Sequence, residues 1–79
     1  MSELKIENPD VADLPPSAKL AYLVLQESGP CTPAELRARA LLDDRTARRA
    51  LERLQEDDLV EVDPDFSDAR KMTYKVSDT

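Results

Sequence analysis

Apolar positions recur with helical spacing between residues 16 and 54 and, from residue 59 onward, with the alternation of strands. Residues 1 to 14 mix charge, Asn8, Pro9 and two small apolar clusters without a sustained period, which predicts a flexible arm ahead of a domain over 15–79. Pro15-Pro16 followed by Ser17 suits the first turn of a helix, where proline is tolerated, and Gly29 marks its stop. The first helix is therefore expected over 16–28. On its wheel Ala18, Ala21, Tyr22 and Leu25 share one side, Leu20 and Val24 lie on the other, and Leu23 sits beside the polar strip of Lys19 and Gln26. A helix apolar nearly all round has to bury more than one face, against its own domain and arm or against a second subunit.

Gly29-Pro30 breaks the chain, and Thr32-Pro33-Ala34-Glu35 has the spacing of a capping box with proline at the first helical position. This predicts a short helix over 33–40, with Leu36 and Ala40 on its inner face and Arg37 and Arg39 elsewhere. Asp43 suits the N-cap of a third helix over 44–57, and Asp44 complements its positive end. A short connection between an eight-residue helix and a longer one is the pattern of a helix-turn-helix. Beyond it, strands are expected over 59–63 and 70–76, joined by the turn-rich Asp63-Pro64-Asp65-Phe66-Ser67-Asp68-Ala69, with Phe66 as a clasp on the domain. The fold class is thus mainly α with a small β-hairpin: a winged helix-turn-helix, three helices plus a wing.

The chain has 79 residues, enough for one domain burying about 60% or a little more of its unfolded surface, so a deep substrate cavity is not expected. With 41% hydrophobic and 35% charged residues it is too apolar for a disordered tail and too charged for a membrane protein. No apolar run approaches the roughly 18 residues of a bilayer span, and MSELKIENPD has no signal-peptide pattern, so a cytoplasmic protein is expected. Net charge is −6, which on its face argues against nucleic acid. The distribution reverses that impression: residues 37–53 carry +3 between flanks of −4 and −5. Asp outnumbers Glu and Arg outnumbers Lys, a bias that matches the hydrated acidic surfaces of proteins from salt-loving organisms. Clustered carboxylates such as Asp57-Asp58 then predict a fold that needs salt to screen them.

On the wheel of the third helix Ala47, Ala50, Leu51 and Leu54 fall on one arc, as a core stripe should. Arg45, Arg48, Arg49, Glu52 and Glu56 take the opposite face, with Thr46 and Arg53 at its flanks. The N-terminal part of the second helix of a helix-turn-helix enters the major groove, where arginine pairs bidentately with guanine. Arg45, Arg48 and Arg49 are the candidate base readers, with Thr46 and Arg53 beside them. The bland alternative is a solvated face of ion pairs, Arg48 with Glu52 and Arg53 with Asp57 at i,i+4 and Arg49 with Glu56 seven residues apart. In the wing, Arg70 and Lys71 are placed to touch phosphates, while Asp63, Asp65 and Asp68 have to point away.

The stretch from Leu14 to Val76 resembles the archaeal winged-helix regulators of the MarR and TrmB type, in particular those of salt-loving archaea. The likeness rests on L-P-P-S-A-K-L at 14–20, L-L-x-x-R-T-x-R-x-A-L-x-R-L at 41–54 and F-x-D-A-R at 66–70. It implies a sequence-selective transcription regulator that binds double-stranded DNA, commonly as a dimer, with residues 45, 48 and 49 on the DNA-facing helix. The candidate surfaces for a homodimer are the first helix and the N-terminal arm; the C-terminal helix through which many larger relatives dimerise is not among these residues, a departure that counts against that expectation. Asp57-Asp58 replaces the small residue often found after the third helix, so Asp58 is expected in a left-handed conformation.

An enzyme fits poorly: there is no histidine, one glycine, and no nucleophile paired with a base, and no cofactor or metal is called for. Cys31 at a helix start suggests a thiol sensor, but no cation is adjacent in sequence and a small residue tucked into the turn is the simpler reading. Asp63 to Tyr74 fails as a calcium loop, lacking glycine at its sixth position and glutamate at its twelfth. The remaining competitor is a winged helix used as a protein-protein interaction module, which its acidic total favours and its arginine-rich third helix does not.

Overall fold

The computed structural model describes residues 9–64, 67 and 71–77. The chain order is α1 (Pro9–Ala12), α2 (Pro16–Ser28), α3 (Pro33–Ala40), α4 (Asp44–Glu56), β1 (Val60–Asp63) and β2 (Thr73–Val76). α2 starts on Pro16 without a side-chain cap and stops at Gly29, whose N–H donates to the Leu25 carbonyl. Gly29 has φ +80 and open space where a Cβ would stand, so the left-handed backbone, not crowding, demands glycine there. α3 opens with the expected capping box: the Glu35 N–H donates to Thr32 Oγ1 at 3.1 Å, and the Thr32 N–H to Glu35 Oε1 at 3.0 Å. α4 is capped by Asp43, whose carboxylate accepts from the Thr46 N–H at 2.7 Å.

Helix ends are closed by two non-glycine residues at positive φ, Leu41 and Asp58, both at 56°. Asp58 takes the left-handed conformation expected of it, and the Leu59 N–H then returns to the Leu54 carbonyl at 2.9 Å. The third helix ends at Glu56, one residue before the expected 57. β1 and β2 pair antiparallel with Val62 opposite Tyr74 and Glu61 opposite Lys75, the latter pair joined at 3.7 Å. The second strand begins at Thr73 rather than 70; residues 68–70 lie outside the described residues.

Two features depart from the sequence reading. The last part of the arm is not loose: Pro9 to Ala12 forms the turn α1, and Val11 and Leu14 are buried in the common core. Two apolar residues three apart show no period in a sequence, yet Val11 in α1 and Leu14 just beyond it are both buried in the core and supply a second partner for the nearly all-round apolar α2. The other feature is a one-residue third strand. Cys31 bridges Tyr74, exchanging N–H···O bonds of 3.0 and 2.8 Å, so β2 lies between β1 and the start of α3. The hairpin is thereby fixed to the helices by backbone as well as by the buried Leu59, Val60 and Tyr74. No helix among the described residues is long and apolar enough to cross a membrane.

Candidate nucleic-acid interface

The interface is built on α4. Ala47, Ala50, Leu51 and Leu54 are buried, which fixes the rotation of the helix and turns Arg45, Arg48, Arg49, Glu52 and Arg53 to solvent. Thr46 is half-buried, its N–H consumed by the Asp43 cap. Of the expected ion pairs only Arg53 with Asp57 forms, Nε to Oδ2 at 3.1 Å. Arg48 does not reach forward to Glu52: its Nη2 donates to Asp44 Oδ2, one turn back, at 3.2 Å. Helical side chains lean toward the N-terminus, and an acid placed four residues before a base is the better-matched order. Arg45 and Arg49 form no ion pair with any described residue. These two, and not all three candidates, are the uncommitted cations of the exposed face.

α3 is tied to this face. Arg37 Nη1 donates to the other oxygen of Asp44 at 3.3 Å, so a single carboxylate bridges α3 and α4 across their turn. Asp44 was expected only to complement the helix dipole; its partnership with Arg48 was readable as an acid-first i,i+4 pair, whereas that with Arg37 needed the fold. Arg39 turns the other way, donating from Nη1 to the buried Cys31 Sγ at 3.0 Å and standing 3.8 Å from Glu35. The cation that sequence adjacency did not offer Cys31 is thus supplied by the next helix. Lys71 is exposed as expected; Arg70, Phe66, Asp65 and Asp68 lie outside the described residues.

The electrostatics follow from these contacts. Hydrogen bonds from Thr46, side chain and backbone, hold the Asp43 carboxyl below its ordinary value, and nearby Arg45 adds to the effect. The Thr32 backbone N–H, then the Thr32 hydroxyl and Arg39, do the same for Glu35. Burial pushes the Tyr74 phenol up, with the charge of Glu52 reinforcing it. Between the start of α3, α4 and β2 lies an open groove of about 390 Å³, floored by Ala47, Leu51 and Tyr74 and edged by Asp44, Arg48 and Glu52. Among the described residues no three His, Cys, Asp or Glu stand together as a metal site.

A helix-turn-helix made by α3 and α4, packed on α2 and followed by an antiparallel hairpin, defines a winged helix. The chain belongs to the MarR family, whose sequence model matches residues 12–71. Among solved structures it is similar to BpsR of Bordetella bronchiseptica, described for the regulation of its DNA binding by 6-hydroxynicotinic acid. That match has 26% identity over 87% of this chain and 49% of that one, with a TM-score of 0.74. A mutant MarR from E. coli complexed with operator DNA matches at 24% identity and a TM-score of 0.72, covering 86% of this chain and 49% of that one. A MarR-like regulator from Thermotoga maritima shares the fold at 18% identity and a TM-score of 0.75, over 90% of this chain and 50% of that one. The chain therefore spans about half the length of these relatives. No curated protein sequence matches it at a significant level.

Proposed function

We propose that this chain binds double-stranded DNA sequence-selectively as the winged-helix domain of a transcription regulator, with α4 in the major groove and the hairpin as wing. The observation that carries the reading is the exposed face of α4, where Arg45 and Arg49 stand without ion pairs at the helix end that meets base edges in a helix-turn-helix. Arg48, Thr46 and Arg53 flank them, and the exposed Lys71, with Arg70 outside the described residues, is proposed to contact phosphates from the wing. The operator complex solved for the E. coli relative supports the reading. The proposed role is recognition without chemistry, since the groove beside α4 holds carboxylates and arginine but neither a histidine nor a thiol. The test is selection from a randomised 20-bp duplex pool (about two helical turns) followed by binding titration. Recovery of a consensus bound at least about a thousandfold more tightly than unrelated duplex is expected. No enrichment would move the assignment to a protein-binding module.

We extend the proposal in two respects. The acidic, lysine-poor composition supports a cytoplasmic protein of a salt-loving archaeon, and melting points are expected to rise with KCl as the Asp57-Asp58 and β-hairpin carboxylates are screened. Leu20, 39% exposed beside the half-buried Leu23, supports a homodimer through α2. Light scattering on the purified chain and on Leu20→Glu tests that contact, with a dimer in the first and a monomer in the second as the expected result.

A further inference from the structure

Asp44 occupies the first position of the DNA-facing helix, where a negative charge meets the polyanion first. It is not there to cap the helix, because the Asp43 carboxylate already takes the Thr46 N–H. Nor does it serve stability to any large degree: its contacts with Arg37 and Arg48 are made by side chains 46%, 67% and 71% exposed, and exposed pairs contribute little. What it does is occupy two guanidinium groups at once, Arg37 through Oδ1 and Arg48 through Oδ2. Glu52, two turns later on the exposed side of the helix, takes neither. The carboxylates of this region are therefore not spread evenly over the arginines: one of them pairs with two, while Arg45 and Arg49 form no ion pair with a described residue.

The two kinds of acceptor on DNA meet this arrangement differently. A phosphate is an anion that competes with Asp44 for the same N–H groups and is repelled by its charge. A guanine edge presents neutral O6 and N7 acceptors, and the single bond from Arg48 Nη2 leaves the rest of the guanidinium fork available to them while Asp44 stays in place. Resting on the DNA-binding reading above, we propose that Asp44 is a specificity-determining positioning residue, a fixed anion that withholds Arg37 and Arg48 from phosphate and presents Arg48 to neutral base edges. It weakens binding to every sequence so that the wrong ones lose more.

The experiment measures the affinity of wild type, Asp44→Asn and Asp44→Glu for a duplex recovered by selection and for an unrelated 30-bp duplex (about three helical turns), over a KCl series. Each guanidinium released onto a phosphate adds roughly 0.9 to the slope of log affinity against log salt. Asp44→Asn is expected to bind the unrelated duplex about three- to tenfold more tightly at low salt, to steepen the slope by about 1 to 2, and to lower the ratio of specific to unrelated affinity about fivefold or more. Asp44→Glu restores slope and ratio toward wild type. In an Arg37→Gln background, which substitutes no residue of α4, the steepening caused by Asp44→Asn should fall by about half, because one of the two held cations is gone. Asp44→Asn that melts earlier while keeping wild-type slope and ratio overturns the inference, as does Asp44→Glu behaving like the amide. Wild type that selects no sequence overturns the DNA reading itself, a different result from a selective wild type whose Asp44 variants match it.

Discussion

α3 and α4 each carry arginines on faces turned away from the core, yet the two sets have different occupations. In α3 both are engaged: Arg37 with Asp44 across the turn, Arg39 with the Cys31 sulfur and Glu35. In α4 Arg45 and Arg49 are uncommitted, and only Arg48 and Arg53 are held by neighbouring aspartates. Nothing in the residue type distinguishes them. Placement decides: Arg37 and Arg39 have Asp44, the Cys31 sulfur and Glu35 within reach, whereas Arg45 and Arg49 form no ion pair with a described residue although Asp43 and Glu52 lie in the same helix region. The contrast separates arginines already occupied within the domain from arginines free to hold something else.

The largest effect expected from this contrast is on DNA affinity. Arg49→Ala should weaken binding to a selected duplex by about 5- to 150-fold, the loss of about 1–3 kcal/mol that attends a base-contacting arginine. Arg39→Ala should leave affinity within about twofold. Arg37 is not a neutral control, because removing it frees one oxygen of Asp44 and changes what Arg48 meets. Fluorescence anisotropy on the folded variants measures both, and equal losses from Arg49→Ala and Arg39→Ala would erase the division between the helices.

The next effect reverses the ranking. Arg39→Ala removes the donor to a fully buried sulfur and an exposed partner of Glu35, so it should cost about 0.5–1.5 kcal/mol of stability, where Arg49→Ala should change it by less than about 0.5 kcal/mol. For a domain of this size that is a drop of several degrees against almost none, at about 4–8 °C per kcal/mol. Thr32→Ala, which dismantles the capping box of α3, should cost about 1 kcal/mol and leave the α4 surface intact. Thermal unfolding followed by circular dichroism measures all three. An unchanged melting point for Arg39→Ala would return Arg39 to the class of solvated surface charges.

The same contrast explains what could be read from sequence. The bounds of α2 and α3 were legible because their signals are local: Pro15-Pro16 and Gly29 for one, Thr32-Pro33 with Glu35 for the other. The rotation of α4 was legible too, since Ala47, Ala50, Leu51 and Leu54 keep a strict helical period. What was not legible depends on residues distant in the chain. Cys31 acquires its strand partner from Tyr74 and its cation from Arg39, and neither is visible in the turn that contains it. The solvated-face alternative pairs Arg48 with Glu52 by spacing alone, whereas side-chain lean and charge order favour Asp44. Val11 and Leu14 are too few to make a pattern and were readable only as part of the surface they cover on the core.

The smallest effect concerns the caps, where the helices differ in chemistry. α3 is capped by a neutral hydroxyl with Glu35 returning the bond, α4 by the Asp43 carboxylate itself. Both carboxyls are held below their ordinary values of 4.5 for Glu35 and 3.8 for Asp43, so each binds its proton less readily folded than unfolded. A depressed folded value contributes stability that is fully present above the unfolded value and is lost as pH falls through the folded one. Both contributions are therefore intact at neutral pH, with Glu35 beginning to fade below about 4.5 and Asp43 below about 3.8. Asp43→Ser keeps an acceptor for the Thr46 N–H but removes the titrating group, so its melting point should fall less than that of wild type between about pH 4 and pH 2.5. Glu35→Gln, which keeps a side-chain acceptor in the capping box, should remove the part of the loss that begins at higher pH. Melting curves at constant ionic strength separate these from general charge repulsion. Parallel acid profiles for wild type and both variants would mean that the caps are bystanders and that the other carboxylates govern the acid limit of the fold.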